Sequence, residues 1–172
     1  SMWLAFVIGT AMAVVGEVFS RPLVHLLGAE GRVAEYALLY LRISLIGYPA
    51  LLLMLAGTGY LRGLQDTRTP LAVALGTAAG NLVLEVVLIY GLGLGIGASA
   101  AATVFAQFVG AGVYLVVVAR NARRDGAGLA PHLASQRRLL RVGADLVVRT
   151  AALRGSLLAI TAVAARIGAT EL

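Results

Sequence analysis

The sequence holds no cysteine and no lysine among its 172 residues. The missing cysteine excludes disulfides, thiolate metal ligands and thiol catalysis together. Without lysine, all 14 basic residues are arginine, and with the excess of Ala, Gly, Leu and Val this fits a GC-rich coding bias. Charge is scarce as well: 13% of residues are charged, against 60% hydrophobic, where a soluble domain carries about 25% charged residues. This is the composition of a membrane protein. The two histidines, His25 and His132, stand alone, and neither a Gly-x-Ser-x-Gly nor a His-Glu-x-x-His pattern occurs, so no metal site, no cofactor and no enzyme is expected.

What is present is a series of apolar runs near the length, about 20 residues, that a helix needs to cross about 30 Å of hydrocarbon. Four to five such helices are expected: residues 3–27, 33–61, 70–91, 98–119, and a fifth that is interrupted by Arg149 and Arg154 and turns apolar from Gly155. The fold class is therefore all-α and polytopic. Pro49 marks a kink in the second helix. In Asp66-Thr67-Arg68-Thr69-Pro70, Thr69 suits an N-cap and Pro70 the first helical position, while Gly63 suits the end of the preceding helix. The run Gly91-Leu92-Gly93-Leu94-Gly95-Ile96-Gly97 lacks the spacing of a phosphate loop and reads as a tight turn at the membrane interface.

Charge sets the orientation. Between helices four and five lie Arg120, Arg123, Arg124, Arg137, Arg138 and Arg141 against Asp125 alone, a net of +5 that places this stretch in the cytoplasm. Alternation puts residues 62–68 on the same side, and residues 21–35 and the glycine turn outside. The basic stretch accounts for the net charge of +6 through topology and contact with anionic lipid, so no nucleic acid is expected as a partner. Residues 135–141 read as a short amphipathic helix on the inner surface.

The polar residues inside these runs point to function. Asn81 and Glu85 are four apart and share one helix face, as do Thr103 and Gln107 in the next helix. The short turn makes the two helices antiparallel neighbours, with Asn81 and Glu85 near mid-depth and all four residues lining one pocket open to the outside. A charged side chain at the bilayer centre costs about 2.5–3.5 kcal/mol on insertion scales, so Glu85 requires partners. A carboxyl balanced between burial and nearby donors takes up and releases protons. The same carboxylate, amide and hydroxyl oxygens suit a hard cation such as Na⁺. Glu17 and Arg42 are expected to snorkel or to pair, Asp145 and Arg149 to pair along a helix, and Gly76, Gly80, Gly110 and Gly112 to permit close helix packing.

Residues 42–70, RISLIGYPALLLMLAGTGYLRGLQDTRTP, followed by Asn81-Leu82-Val83-Leu84-Glu85 and the run GLGLGIGASAAATVFAQ, resemble the multidrug and toxic compound extrusion (MATE) family, particularly its DinF-type branch. The resemblance implies a piece of a twelve-helix, two-lobe transporter in the cell (inner or plasma) membrane. Residues 1–119 would supply the third to sixth helices of the N-lobe, 120–141 the cytoplasmic link between lobes, and 142–172 the start of the seventh helix. It implies antiport: export of cationic or amphipathic small molecules in exchange for H⁺ or Na⁺, with membrane lipid and the remaining helices of the same transporter as the other partners. The family's cation-coupling site falls on Asn81, Glu85 and Thr103, with Gln107 in the substrate cavity. Glu85 stands where Asp is more familiar, which leaves H⁺ and Na⁺ both open. Two competing readings are a lipid-linked precursor flippase of related architecture, which would need a more cationic central cavity, and a non-transporting membrane scaffold in which Glu85 serves assembly.

Overall fold

A computed structural model describes residues 2–26, 28, 30–124 and 133–168. The described residues are almost all helical. Helix α1 spans Met2–Leu26, α2 Gly31–Ile46, α3 Tyr48–Gly63, α4 Arg68–Val86, α5 Ile96–Arg124 and α6 Leu133–Gly168, and α4 continues into a π-helical turn over Val87–Gly91. Three of these, α1, α4 with its π turn, and α5, are long and apolar enough to cross a membrane, and α2 with α3 makes a fourth span bent by 46°.

The bend has a local cause. Pro49 has no N–H, so the carbonyl of Leu45 loses the donor that would continue the helix. Gly47 closes α2 by donating to Ser44 O at 3.0 Å, and Leu51 N restarts the ladder on Gly47 O at 2.9 Å. The expected kink is thus a break one turn long, at Gly47.

Glycines set how closely the helices approach. A Cβ at Gly9 of α1 would lie 2.6 Å from Pro49 Cα, and one at Gly16 would strike the Leu45 side chain. These paired contacts fix α1 antiparallel to the bent span. On α3, Gly57 lies flat against the ring of Tyr114 of α5, where a Cβ would come within 2.6 Å. Tyr114 is 2% exposed, and its hydroxyl accepts a 2.8 Å hydrogen bond from Thr58 Oγ1. Ala50, Leu53 and Ala111 form the centre of this packing. Small residues let the backbones close up, as helix association in a membrane requires. Of the glycines expected to permit packing, Gly110 does so against Met54 and Thr77, whereas Gly76, Gly80 and Gly112 have open space where a Cβ would stand.

Two expectations are corrected. Helix α4 starts at Arg68, not at Pro70, and the capping oxygen belongs to Asp66: its Oδ1 accepts from Arg68 N at 3.1 Å and Thr69 N at 3.0 Å. Thr69 therefore lies inside the first turn as a donor; Gly63 ends α3 as expected, and the left-handed residue in the turn that follows is Gln65, with φ of 61°. Second, the described parts of the basic stretch, 120–124 and 133–141, are helical, while Asp125 and His132 lie outside the described residues. Arg120, Arg123 and Arg124 belong to α5, and the expected short surface helix is the first part of α6, which runs on without a break through the expected start of the next span. Described by itself, α6 is not among the helices apolar enough to cross a membrane, and Asp145 and Arg149 form no ion pair among the described residues.

Candidate functional site

The glycine turn determines what faces what. Gly93, with φ of +65°, lets the chain reverse, and the return brings Ser99, in the first turn of α5, alongside Glu85, in the last turn of α4. Ser99 Oγ donates a 2.6 Å hydrogen bond to Glu85 Oε1. Deeper along the same pair, Thr77 of α4 packs against Gly110 of α5. These two contacts bracket Asn81 and Thr103 between them.

Along the span Arg68–Gly91, Glu85 sits ~9 Å from the glycine-turn end at 1.5 Å rise per residue, nearer that end than mid-depth. The π turn begins two residues on, at Val87, and such turns recur at functional positions in helices.

Asn81, Glu85, Ser99, Thr103 and Gln107 are all half-buried. Thr103 Oγ1 donates to Ser99 O at 3.1 Å and keeps its lone pairs as acceptors. Asn81 Oδ1 and Gln107 Oε1 are buried without any hydrogen-bond donor. The Asn81 oxygen, one helical turn from Glu85, is thus a buried acceptor without a donor.

Gln107 is placed differently from the other three. Its Oε1 packs against Gly47 at the break between α2 and α3, where any Cβ would strike it. The cleft found between α4 and α5, about 510 Å³, is apolar and lined by residues such as Ala72, Val73, Gly76, Phe105 and Val109. Neither Asn81, Glu85 nor Thr103 lines it, so the polar residues sit beside this cleft and not in it.

Ser99 was not singled out by the sequence, although it completes a series with Thr103 and Gln107 at four-residue spacing. A serine near the start of an Ala-rich helix carries no signal until the turn places it. Glu17 and Arg42 do pair: Arg42 Nε lies 2.9 Å from Glu17 Oε1, with the two side chains 46% and 48% exposed. Among the described residues no group of three or more His, Cys, Asp or Glu side chains is arranged to hold a metal ion.

The sequence profile of the MatE family matches residues 1–87. The chain is 32% identical over 124 residues to the FAD transporter of Shewanella oneidensis, covering 69% of this chain and 27% of that protein. It is 33% identical over 121 residues to the probable multidrug resistance protein NorM of Thermotoga maritima, covering 66% and 26%. It is 30% identical over 148 residues to DNA damage-inducible protein F of Escherichia coli, covering 84% and 32%. The chain thus spans between a quarter and a third of the length of these curated relatives. No solved structure matches it.

Proposed function

This chain belongs to the MatE family, and we propose that it is part of a cation-coupled antiporter that exports cationic or amphipathic small molecules in exchange for H⁺ or Na⁺. It is an all-α, polytopic membrane protein. We place it in the inner or plasma membrane, as four N-lobe spans of a twelve-helix, two-lobe transporter, with α6 leading into the second lobe. No catalytic group is assigned.

The observation that carries this reading is Glu85, an acid within a span, held by Ser99 and set in the neighbourhood of acceptors that have no donor. In the ionised state the carboxylate accepts the Ser99 hydroxyl. When Glu85 takes up a proton it becomes a donor, and Asn81, one helical turn away on the same face, offers a buried oxygen that lacks one. The serine hydroxyl can rotate to accept in turn. Sodium would instead draw on the Glu85, Asn81 and Thr103 oxygens without any such rotation. Either cation neutralises the charge and changes how α4 seats against α5.

Gln107 belongs to the wall of the substrate cavity, where its oxygen meets the α2–α3 break. Loading of the coupling site and the bend of that span are then connected through one helix, α5. For exchange, the cation must bind one conformation more tightly than the other, because a ligand without differential affinity shifts no equilibrium. The test is efflux of a fluorescent cation from proteoliposomes holding the full-length protein, under an imposed proton or sodium gradient. Efflux driven by one gradient supports antiport, and efflux indifferent to both contradicts it.

A further inference from the structure

The bent span is held at its break from two sides, and the two contacts differ in kind. Gly47 lies midway along Gly31–Gly63, sixteen residues from either end, so the 46° bend falls at the middle of the span. From α1 the contact is backbone on backbone: a Cβ at Gly9 would lie 2.6 Å from Pro49 Cα and 3.1 Å from Tyr48 O. From α5 it is one side chain, the Gln107 amide, seated in the space that Gly47 leaves. Gly47 has φ of −76° and ψ of −15°, a conformation open to any residue. Glycine serves here to make room for that amide and not to reach a special backbone angle.

The surroundings of the amide are unbalanced. Pro49 has no N–H to give to the end of α2, and Gly47 N donates to Ser44 O at 3.0 Å. The Ser44 carbonyl keeps a second lone pair. It lies 3.2 Å from the point at which Gly47 would carry a Cβ, and Gln107 Oε1 lies against that same point. Acceptor therefore faces acceptor, and Gln107 Oε1 is buried without a donor. A half turn of the carboxamide puts its NH₂ where its oxygen was, at nearly the same shape. The oxygen has no bond to lose there, and Ser44 O gains a donor. Because a buried acceptor without a donor is costly, the turn is favourable wherever α2 presents this carbonyl.

We propose that Gln107 is the latch of a hinge at Gly47: with its NH₂ donating to the Ser44 carbonyl the amide holds the α2–α3 span bent, and its withdrawal lets the span straighten. Gln107 is thus a positioning residue for the span. Its place on α5 gives the latch its control. Ser99, Thr103 and Gln107 follow at i, i+4 and i+8 on one helix face, and Ser99 is bonded to Glu85, so a movement of α5 on loading at Glu85 carries the amide with it. That control rests on the transport reading above, whereas the latch itself does not.

The experiment is double electron–electron resonance on the purified full-length protein, with any cysteine outside these 172 residues replaced and spin labels on Val33→Cys and Leu64→Cys, both exposed positions. A straight helix would separate the two by ~46 Å, and a 46° bend at Gly47 shortens that by ~4 Å. Wild type should show the shorter distance. Gln107→Met, which keeps the length of the side chain and has no N–H, should add a population ~4 Å longer. Should that variant fail to fold, Gly47→Ala with Gln107→Ala removes the amide while refilling its space and should add the same population. Thr58→Val, which breaks the hydrogen bond to Tyr114 elsewhere between α3 and α5, should leave the distance unchanged. A wild type at the longer distance, a short distance that survives loss of the amide, or equal lengthening in Thr58→Val overturns the proposal. Because no ion gradient is imposed, loss of coupled efflux counts against the antiport reading and leaves this result standing.

Discussion

Ser99 Oγ lies 2.6 Å from Glu85 Oε1 and joins the last turn of α4 to the first turn of α5 across the glycine turn. A hydrogen bond to a charged group contributes about 1.5–3 kcal/mol. Ser99→Ala should therefore shift the driving-cation concentration for half-maximal efflux by about tenfold or more, downward where the cation is a proton, because the lost bond held the ionised carboxylate, and Ser99→Thr, which keeps the hydroxyl, should shift it much less. Identical half-saturation in wild type and Ser99→Ala would remove this bond from the coupling site.

The close approaches of the helices give an ordered set of stability effects. Gly9→Ala drives a methyl group onto the Pro49 backbone, and Gly47→Ala drives one onto the end of the Gln107 side chain. Overpacking of this kind costs about 1–3 kcal/mol. Gln107 can be shortened and the Pro49 backbone cannot. Thermal unfolding of the detergent-solubilised protein should show Gln107→Ala restoring most of the stability lost in Gly47→Ala and none of that lost in Gly9→Ala. Equal rescue of both would contradict the contact between Gln107 and Gly47.

At the inner end of α4, hydrogen bonds from the side chain and backbone of Thr69, then the backbone N–H and charge of Arg68, hold the Asp66 carboxyl below its ordinary value of 3.8. A depressed folded value stabilises the ionised cap: its contribution is complete above the ordinary value and is lost as pH falls through the lower, folded one. Asp66→Ala should speed amide hydrogen exchange at Arg68 and Thr69 at neutral pH. Asp66→Asn, which also caps helices well, should keep protection there and lose its pH dependence. Unchanged exchange in Asp66→Ala would show that the cap does not hold the turn.

The absence of cysteine makes the orientation directly testable. Gly95, in the outer turn, has open space around it, and Leu64, in the turn between α3 and α4, is 52% exposed. With a membrane-impermeant maleimide applied to intact cells, Gly95→Cys should label and Leu64→Cys should label only after permeabilisation. The reverse pattern would invert the topology drawn from the arginine distribution.

Much of this arrangement was legible in the sequence because a membrane leaves few options: apolar length marks the spans, and Pro49 marks the kink. The grouping of Asn81 with Glu85 and of Thr103 with Gln107 followed from helical spacing alone. What stayed hidden depends on register across turns. Ser99 acquires a role only once Gly93 reverses the chain. Asp66 displaced Thr69 as the cap because a short carboxylate reaches two N–H groups at once. Gln107 Oε1 packs against Gly47 because a glycine leaves empty the place where a Cβ would stand.

Coupling of export to cation binding at Glu85 is tested most directly by reconstituting the full-length protein as wild type and Glu85→Gln and following gradient-driven efflux of a fluorescent cation at matched protein incorporation. The amide keeps the shape of the side chain and removes its ability to titrate or to offer a charge. Efflux driven by a proton or sodium gradient in wild type, and lost in Glu85→Gln while dye binding persists, is the expected result. Gradient-driven efflux that survives Glu85→Gln at the wild-type rate would contradict it and return Glu85 to a role in holding α4 against α5.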